Sequence, residues 1–127
     1  ALEDRRANFM KKAYRVKSDK DFQGVFRRGK SFANRQFVVY VLAKPDQDHF
    51  RLGVSVGKKI GNAVIRNRIK RKMRQAVFEL DQAGMIKDSV DFVVIARPPA
   101  KDMSVDECIK SLKHVFKLAQ LLQDSPT

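Results

Sequence analysis

The 127-residue chain has a single cysteine, Cys108, and no tryptophan. One cysteine excludes an internal disulfide and a thiolate zinc site. The two histidines, His49 and His114, are far apart, so cysteine and histidine together make no metal-ligand pattern. The longest apolar runs, Phe37 to Ala43 and Phe92 to Ala96, fall well short of the ~20 residues that span a bilayer. The N-terminal stretch is polar and charged, without the apolar segment of a secretory signal. The expected setting is therefore cytoplasmic, with no membrane as partner. Acidic residues are scarce too, 14 against 27 lysines and arginines, which leaves a net charge of +13. An excess of that size calls for a polyanion. About two-fifths of the residues are apolar, enough for a packed core rather than a disordered basic tail.

The charge is unevenly placed. Residues 1–37 carry a net +7, residues 38–57 are neutral, residues 58–74 carry +8 with no acid at all, and residues 75–127 carry −2. A solvated helix face normally mixes signs to limit self-repulsion. Eight cations in 17 residues without one carboxylate instead mark a binding surface. The acidic C-terminal third reads as scaffold.

Local patterning gives one α+β domain over residues 10–123, between a weakly ordered N-terminal extension (1–9) and a short tail (124–127). Ser18 with Asp21 three residues on is a helix start. Phe22, Val25 and Phe26 follow at helical spacing, and Gly29 is the stop. Ser31 to Leu42 turns to strand character, with a short extra strand near Ser31–Phe32. Lys44 to Asp48 is a turn, and Arg51 to Val56 alternates as a strand. Asn62 caps a helix whose apolar stripe is Ile65, Ile69, Met73, Ala76, Val77 and Leu80 and whose polar side is cationic. Gly84 ends it. Val90 to Ala96 reads as a strand buried on both faces. Ser104 and Glu107 form a capping box ahead of a stripe made by Val105, Cys108, Ile109, Leu112, Val115, Phe116, Ala119 and Leu122. Cys108 lies on that stripe and reads as packing. The order is helix, two or three strands, helix, strand, helix.

Gly24 to Ser31 matches the spacing G-x-x-x-x-G-K-[ST] of a phosphate-binding loop. Such a loop must follow a strand and open a helix. Here the match starts inside a helix and runs into a strand, and Val25 and Phe26 are needed by the helix stripe. No Ser-His-Asp or Cys-His pattern stands out, so the residues supply no evident catalytic group. The aromatics say more. Phe22 and Phe26 are one turn apart, and Tyr40 faces the side of its strand opposite Val39 and Val41. Such rings beside a basic helix suit stacking of unpaired bases.

The most distinctive run is Lys58-Lys59-Ile60-Gly61-Asn62-Ala63-Val64-Ile65-Arg66-Asn67-Arg68-Ile69-Lys70-Arg71. With Ala33-Asn34-Arg35-Gln36-Phe37 and the stretch from Asp21 to Phe26, it closely resembles the protein component of bacterial ribonuclease P, over about Lys11 to Leu122. The resemblance implies a helix–three strands–helix–strand–helix sandwich, with a mixed four-stranded sheet and a left-handed β-α-β crossover against the usual preference. It also implies an RNA-binding subunit that, with a catalytic RNA, removes the 5′ leader of precursor tRNA by endonucleolytic hydrolysis. The magnesium is then held mainly by the RNA, which performs the chemistry, and no small-molecule substrate is expected. By the same resemblance Lys58, Lys59, Arg66, Asn67, Arg68, Lys70, Arg71 and Arg74 face the catalytic RNA, and Phe22, Phe26, Tyr40, Asn34 and Arg35 line the leader cleft. The competing reading from charge and fold class alone is a structural RNA binder of the ribosomal or assembly type.

Overall fold

The computed structural model describes residues 14–123, so the expected extension at 1–9 and tail at 124–127 lie outside the described residues. Helix α1 (Asp19–Arg28) begins where Ser18 Oγ accepts from the Asp21 amide, at 3.1 Å. It stops at Gly29, which is not in a left-handed conformation. A side chain there would press on the carbonyl oxygens of Val25 and Val41. Glycine is required because two backbones approach closely.

The strand-like segment from Ser31 divides into β1 (Lys30–Ala33), where the short extra strand was expected, and β2 (Phe37–Ala43), and the two pair antiparallel. Strands β3 (Arg51–Val56) and β4 (Val90–Ala96) pair in parallel, and β2 pairs antiparallel with β4, giving the order β1-β2-β4-β3. Helix α2 (Ala63–Gln82) makes the β3–β4 crossover, and α3 (Val105–Leu118) follows β4. Asn62 Oδ1 caps α2 by accepting from the Ile65 amide, and Ser104 with Glu107 closes the expected capping box on α3. The stop after α2 comes at Gly84, whose φ of 71° favours glycine. The α3 stripe ends earlier than its apolar pattern. Leu122 lies beyond the helix and bridges to Ile86.

Strand parity sorts the sheet into two faces. Phe37, Val39, Phe92, Val94, Leu52 and Val54 face α2 and α3 and pack with Ile69, Met73, Val77, Leu112 and Phe116 into the main core. Phe92 sits between Phe50 and Phe116 at centroid distances of 5.5 and 5.4 Å. Such ring pairs contribute about 0.5–1.5 kcal/mol beyond their burial. Cys108 is buried in this core, where desolvation first raises its thiol pKa. α1 covers part of the opposite face, and its Val25 is fully buried there. Among the described residues, no helix is long and apolar enough to cross a membrane.

Candidate nucleic-acid interface

The face under α1 is built in three cross-strand rows. One contains Leu42, Asp91 and Arg51, the next Ser31, Tyr40, Val93 and Gly53, and the third Ala33, Val38, Ile95 and Ser55. α1 sits over the first two. Phe22 lies on Gly53, where an added Cβ would come within 2.6 Å of its ring. Phe26 meets Tyr40 edge to face at 5.0 Å, and Phe22 and Phe26 are 6.4 Å apart. The three rings thus form one half-buried cluster at the border of the third row. That row, with Val38, Ser55 and Ile95 partly exposed, is the strip of sheet face beside α1, hereafter the groove.

The two ends of the groove differ in charge. At the Leu42–Asp91–Arg51 end, Asp91 is wholly buried. Arg51 grips it through Nε at 2.9 Å and Nη2 at 2.6 Å, and Gln47 donates to it at 3.0 Å. Lys44 stands 3.9 Å from Asp91, and Asp21 of α1 lies 3.5 Å from Arg51. The bond to Asp91 raises the Arg51 pKa despite opposing desolvation. All charge there is neutralised internally. At the other end β1, β3 and β4 finish, and exposed Arg35, Lys58, Lys59 and Arg97 follow those strand ends. Every ion pair among the described residues involves Asp91 or Arg51, so these cations have no carboxylate partner among the described residues. α2 begins at the same end.

On α2 the basic residues divide by direction. At ~100° per residue, Arg66, Lys70 and Arg74 form a stripe beside the buried face, while Asn67, Arg68 and Arg71 lie on the outer ridge. Burial agrees: the first three are partly covered and the last three exposed. Arg66 donates to the Gly61 carbonyl at 3.2 Å, which ties it to the loop before the helix. Lys72, on the opposite flank, donates to the Met103 carbonyl at 3.0 Å. Burial first, and the charge of Arg15 second, lower the Arg74 pKa.

Residues 10–120 match the family model for ribonuclease P. The chain belongs to the ribonuclease P protein family. It is 58% identical over 113 residues to the ribonuclease P protein component of Ligilactobacillus salivarius, covering 89% of this chain and 98% of that one. The Listeria innocua protein is 56% identical over 117 residues, covering 92% and 97%. Among solved structures, the Staphylococcus aureus RNase P protein matches with a TM-score of 0.77 at 49% identity, over 88% of this chain and all of that one. The Thermotoga maritima RNase P protein matches at 0.72 and 30% identity, over 82% and 96%. The chain is thus the protein subunit of the RNA–protein enzyme that processes the 5′ end of tRNA.

The ribonuclease P protein structure brings Phe22, Phe26 and Tyr40 together, while the Asn34 side chain has partners of its own. Its Oδ1 accepts from the amides of Gln36 and Phe37 at 3.0 and 2.8 Å, forming the β1–β2 turn. Its Nδ2 donates to the carbonyl and hydroxyl oxygens of Ser111 on α3 at 2.8 and 3.0 Å. The side chain is therefore committed on the α3 side, away from the rings, while Arg35 beside it is exposed. Sequence reasoning missed Arg97, which donates through Nη1 to the Asn34 carbonyl at 3.0 Å. Its position just after a buried strand was the available signal. It also missed Arg15, which bridges to Leu52 at the outer edge of β3. Among the described residues no three His, Cys, Asp or Glu gather to hold a metal ion.

Proposed function

We propose that the groove holds the unpaired 5′ leader of precursor tRNA, while the outer ridge of α2 docks on the catalytic RNA. The observation that carries this reading is the groove's polarity: an aromatic border, one end closed by an internally neutralised network, and one end open and cationic. Stacking on Phe22, Phe26 and Tyr40 accepts any base, because every base has a π-face. Arg35, Arg97, Lys58 and Lys59 then receive the phosphates, so the strand leaves towards the start of α2. There Arg68 and Arg71 offer planar forks suited to bidentate phosphate contacts. Asn67 adds a side chain able both to donate and to accept.

The protein contributes binding and not the reacting groups. Its RNA-facing residues are cations and an amide, which do not suit a magnesium ion, so the metal's ligands are assigned to the RNA. Bound magnesium would there activate the water that hydrolyses the phosphodiester.

The test is reconstitution. Full-length protein, the catalytic RNA and precursor tRNA are mixed at low magnesium, and cleavage is compared with RNA alone. Faster cleavage with the protein is expected. Unchanged cleavage would overturn this reading of the groove and the ridge.

A further inference from the structure

Arg15 has a position that the leader groove and the outer ridge of α2 do not use. Its backbone runs parallel to β3 as a bridge partner of Leu52, and the next residue, Val16, donates its amide to the Leu52 carbonyl at 3.0 Å. Residues paired across a sheet point to the same side, and Leu52 belongs to the main core beneath α2 and α3. Arg15 is thus a cation aimed towards the helix layer beside the β3 edge of the sheet. Its Nε is buried and has no hydrogen-bond partner.

The level along α2 that Arg15 meets follows from the crossover. β3 ends beside the start of α2, and the helix runs back along it. From Val56 to Leu52 the strand spans about 13 Å. From Ala63 to Arg74 the helix spans about 16 Å. Arg74 therefore lies level with Leu52, on the α2 stripe beside the buried face, and it feels the charge of Arg15. Neither arginine has an ion-pair partner among the described residues. Two guanidinium groups stand at one level of the fold, the first with a buried and unpaired donor, and they repel each other in the free protein.

We propose that Arg15 and Arg74 form a clamp for a single phosphate group. A phosphate oxygen that draws the Arg15 fork outward pairs Nε and one Nη together, and the second guanidinium completes the contact. The repulsion between the two cations becomes shared attraction to one anion. The phosphate has two chemical sources, a phosphodiester of the catalytic RNA or free inorganic phosphate. The first rests on the RNA-docking reading above, and the clamp itself does not.

The clamp is tested on the full chain by titrating inorganic phosphate and following the arginine Nε–H signals by NMR. The expected result is that the Arg15 and Arg74 signals move together and saturate with one apparent Kd, and that Arg74→Gln abolishes the Arg15 response. Non-saturating shifts like those of exposed Arg27 and Arg28, or two different Kd values, would overturn the clamp. A second arm compares the salt dependence of catalytic-RNA binding for wild type, Arg15→Gln, Arg74→Gln and the double variant. If the source is RNA, the double variant lowers the slope of log K against log salt by about 0.9, the value for one phosphate. An unchanged slope beside a saturating titration assigns the clamp to free phosphate. A loss of about 1.8 in the double variant means two separate phosphates and overturns the shared site. Failure of the wild-type protein to bind the catalytic RNA would defeat the docking reading while leaving the phosphate titration to decide the clamp.

Discussion

Removing either half of the Arg51–Asp91 pair should cost different amounts, because the two partners are not equally buried. The Asp91 side chain is 1% exposed and that of Arg51 23%. Arg51→Met strands a carboxylate in the sheet interior, with only the Gln47 amide at 3.0 Å and Lys44 at 3.9 Å to answer it. Breaking a buried pair from one side costs about 3–5 kcal/mol. Lys44 is close enough to compensate in part, so the lower value, about 3 kcal/mol, is expected. Asp91→Asn keeps an oxygen for Gln47 and leaves Arg51 with water and Asp21 at 3.5 Å. Its cost is that of one charge-assisted hydrogen bond, about 1.5 kcal/mol. The double variant Arg51→Met/Asp91→Leu removes both charges and should recover much of the Arg51→Met loss, because a buried pair gains little over apolar replacements. Urea unfolding at neutral pH measures all three, with an unchanged m-value as the check that the same surface is exposed. In a domain of this size a gap of about 1.5 kcal/mol also separates the two single variants by about 5 °C in Tm. The reasoning is refuted if Asp91→Asn costs as much as Arg51→Met, or if the double variant is no more stable than Arg51→Met alone.

Asn34→Ala should destabilise the fold by about 2–3 kcal/mol in urea, since several net contributions of about 1 kcal/mol are lost together; Asn34→Asp, which keeps the turn acceptors, should lose less. Tyr40→Ala should weaken precursor tRNA binding by about 1–3 kcal/mol, the value of one stacked base, and leave mature tRNA unchanged in a competition assay. Equal losses would place Tyr40 outside the leader path. The Ser104 backbone amide, followed by its side chain, lowers the Glu107 pKa. A depressed carboxyl contributes stability that is present above the ordinary glutamate range and lost as pH falls through the lowered folded value. Glu107→Gln should therefore flatten the acid side of the stability–pH curve, read from thermal melts across that range.

Features set within a few residues were legible in the sequence. Ser18, Asn62 and the Ser104–Glu107 box cap helices as expected because a cap is a contact over three residues. The pairing of Phe26 with Tyr40 was within reach of parity and helical spacing. The β1–β2 break was less visible: Asn34 makes the turn with its own side chain, inside a run that otherwise has strand character. The partners of Asp91 were not legible, because Arg51, Lys44 and Gln47 are forty or more residues away in the chain. Arg15 was hidden for the same reason, since only the sheet edge and the crossover place it beside Arg74.

The Arg15–Leu52 bridge has a consequence for how the chain exists before it meets RNA. A sheet edge with free amides and carbonyls is a template on which another copy can add a strand. β3 is such an edge by sheet order, yet its start is occupied by the chain's own residues, with the Val16 amide already bonded to Leu52. The other edge, β1, has only four residues, begins with an exposed lysine and is flanked by a turn. A short, charged edge on one side and a self-covered edge on the other discourage strand addition by neighbouring copies.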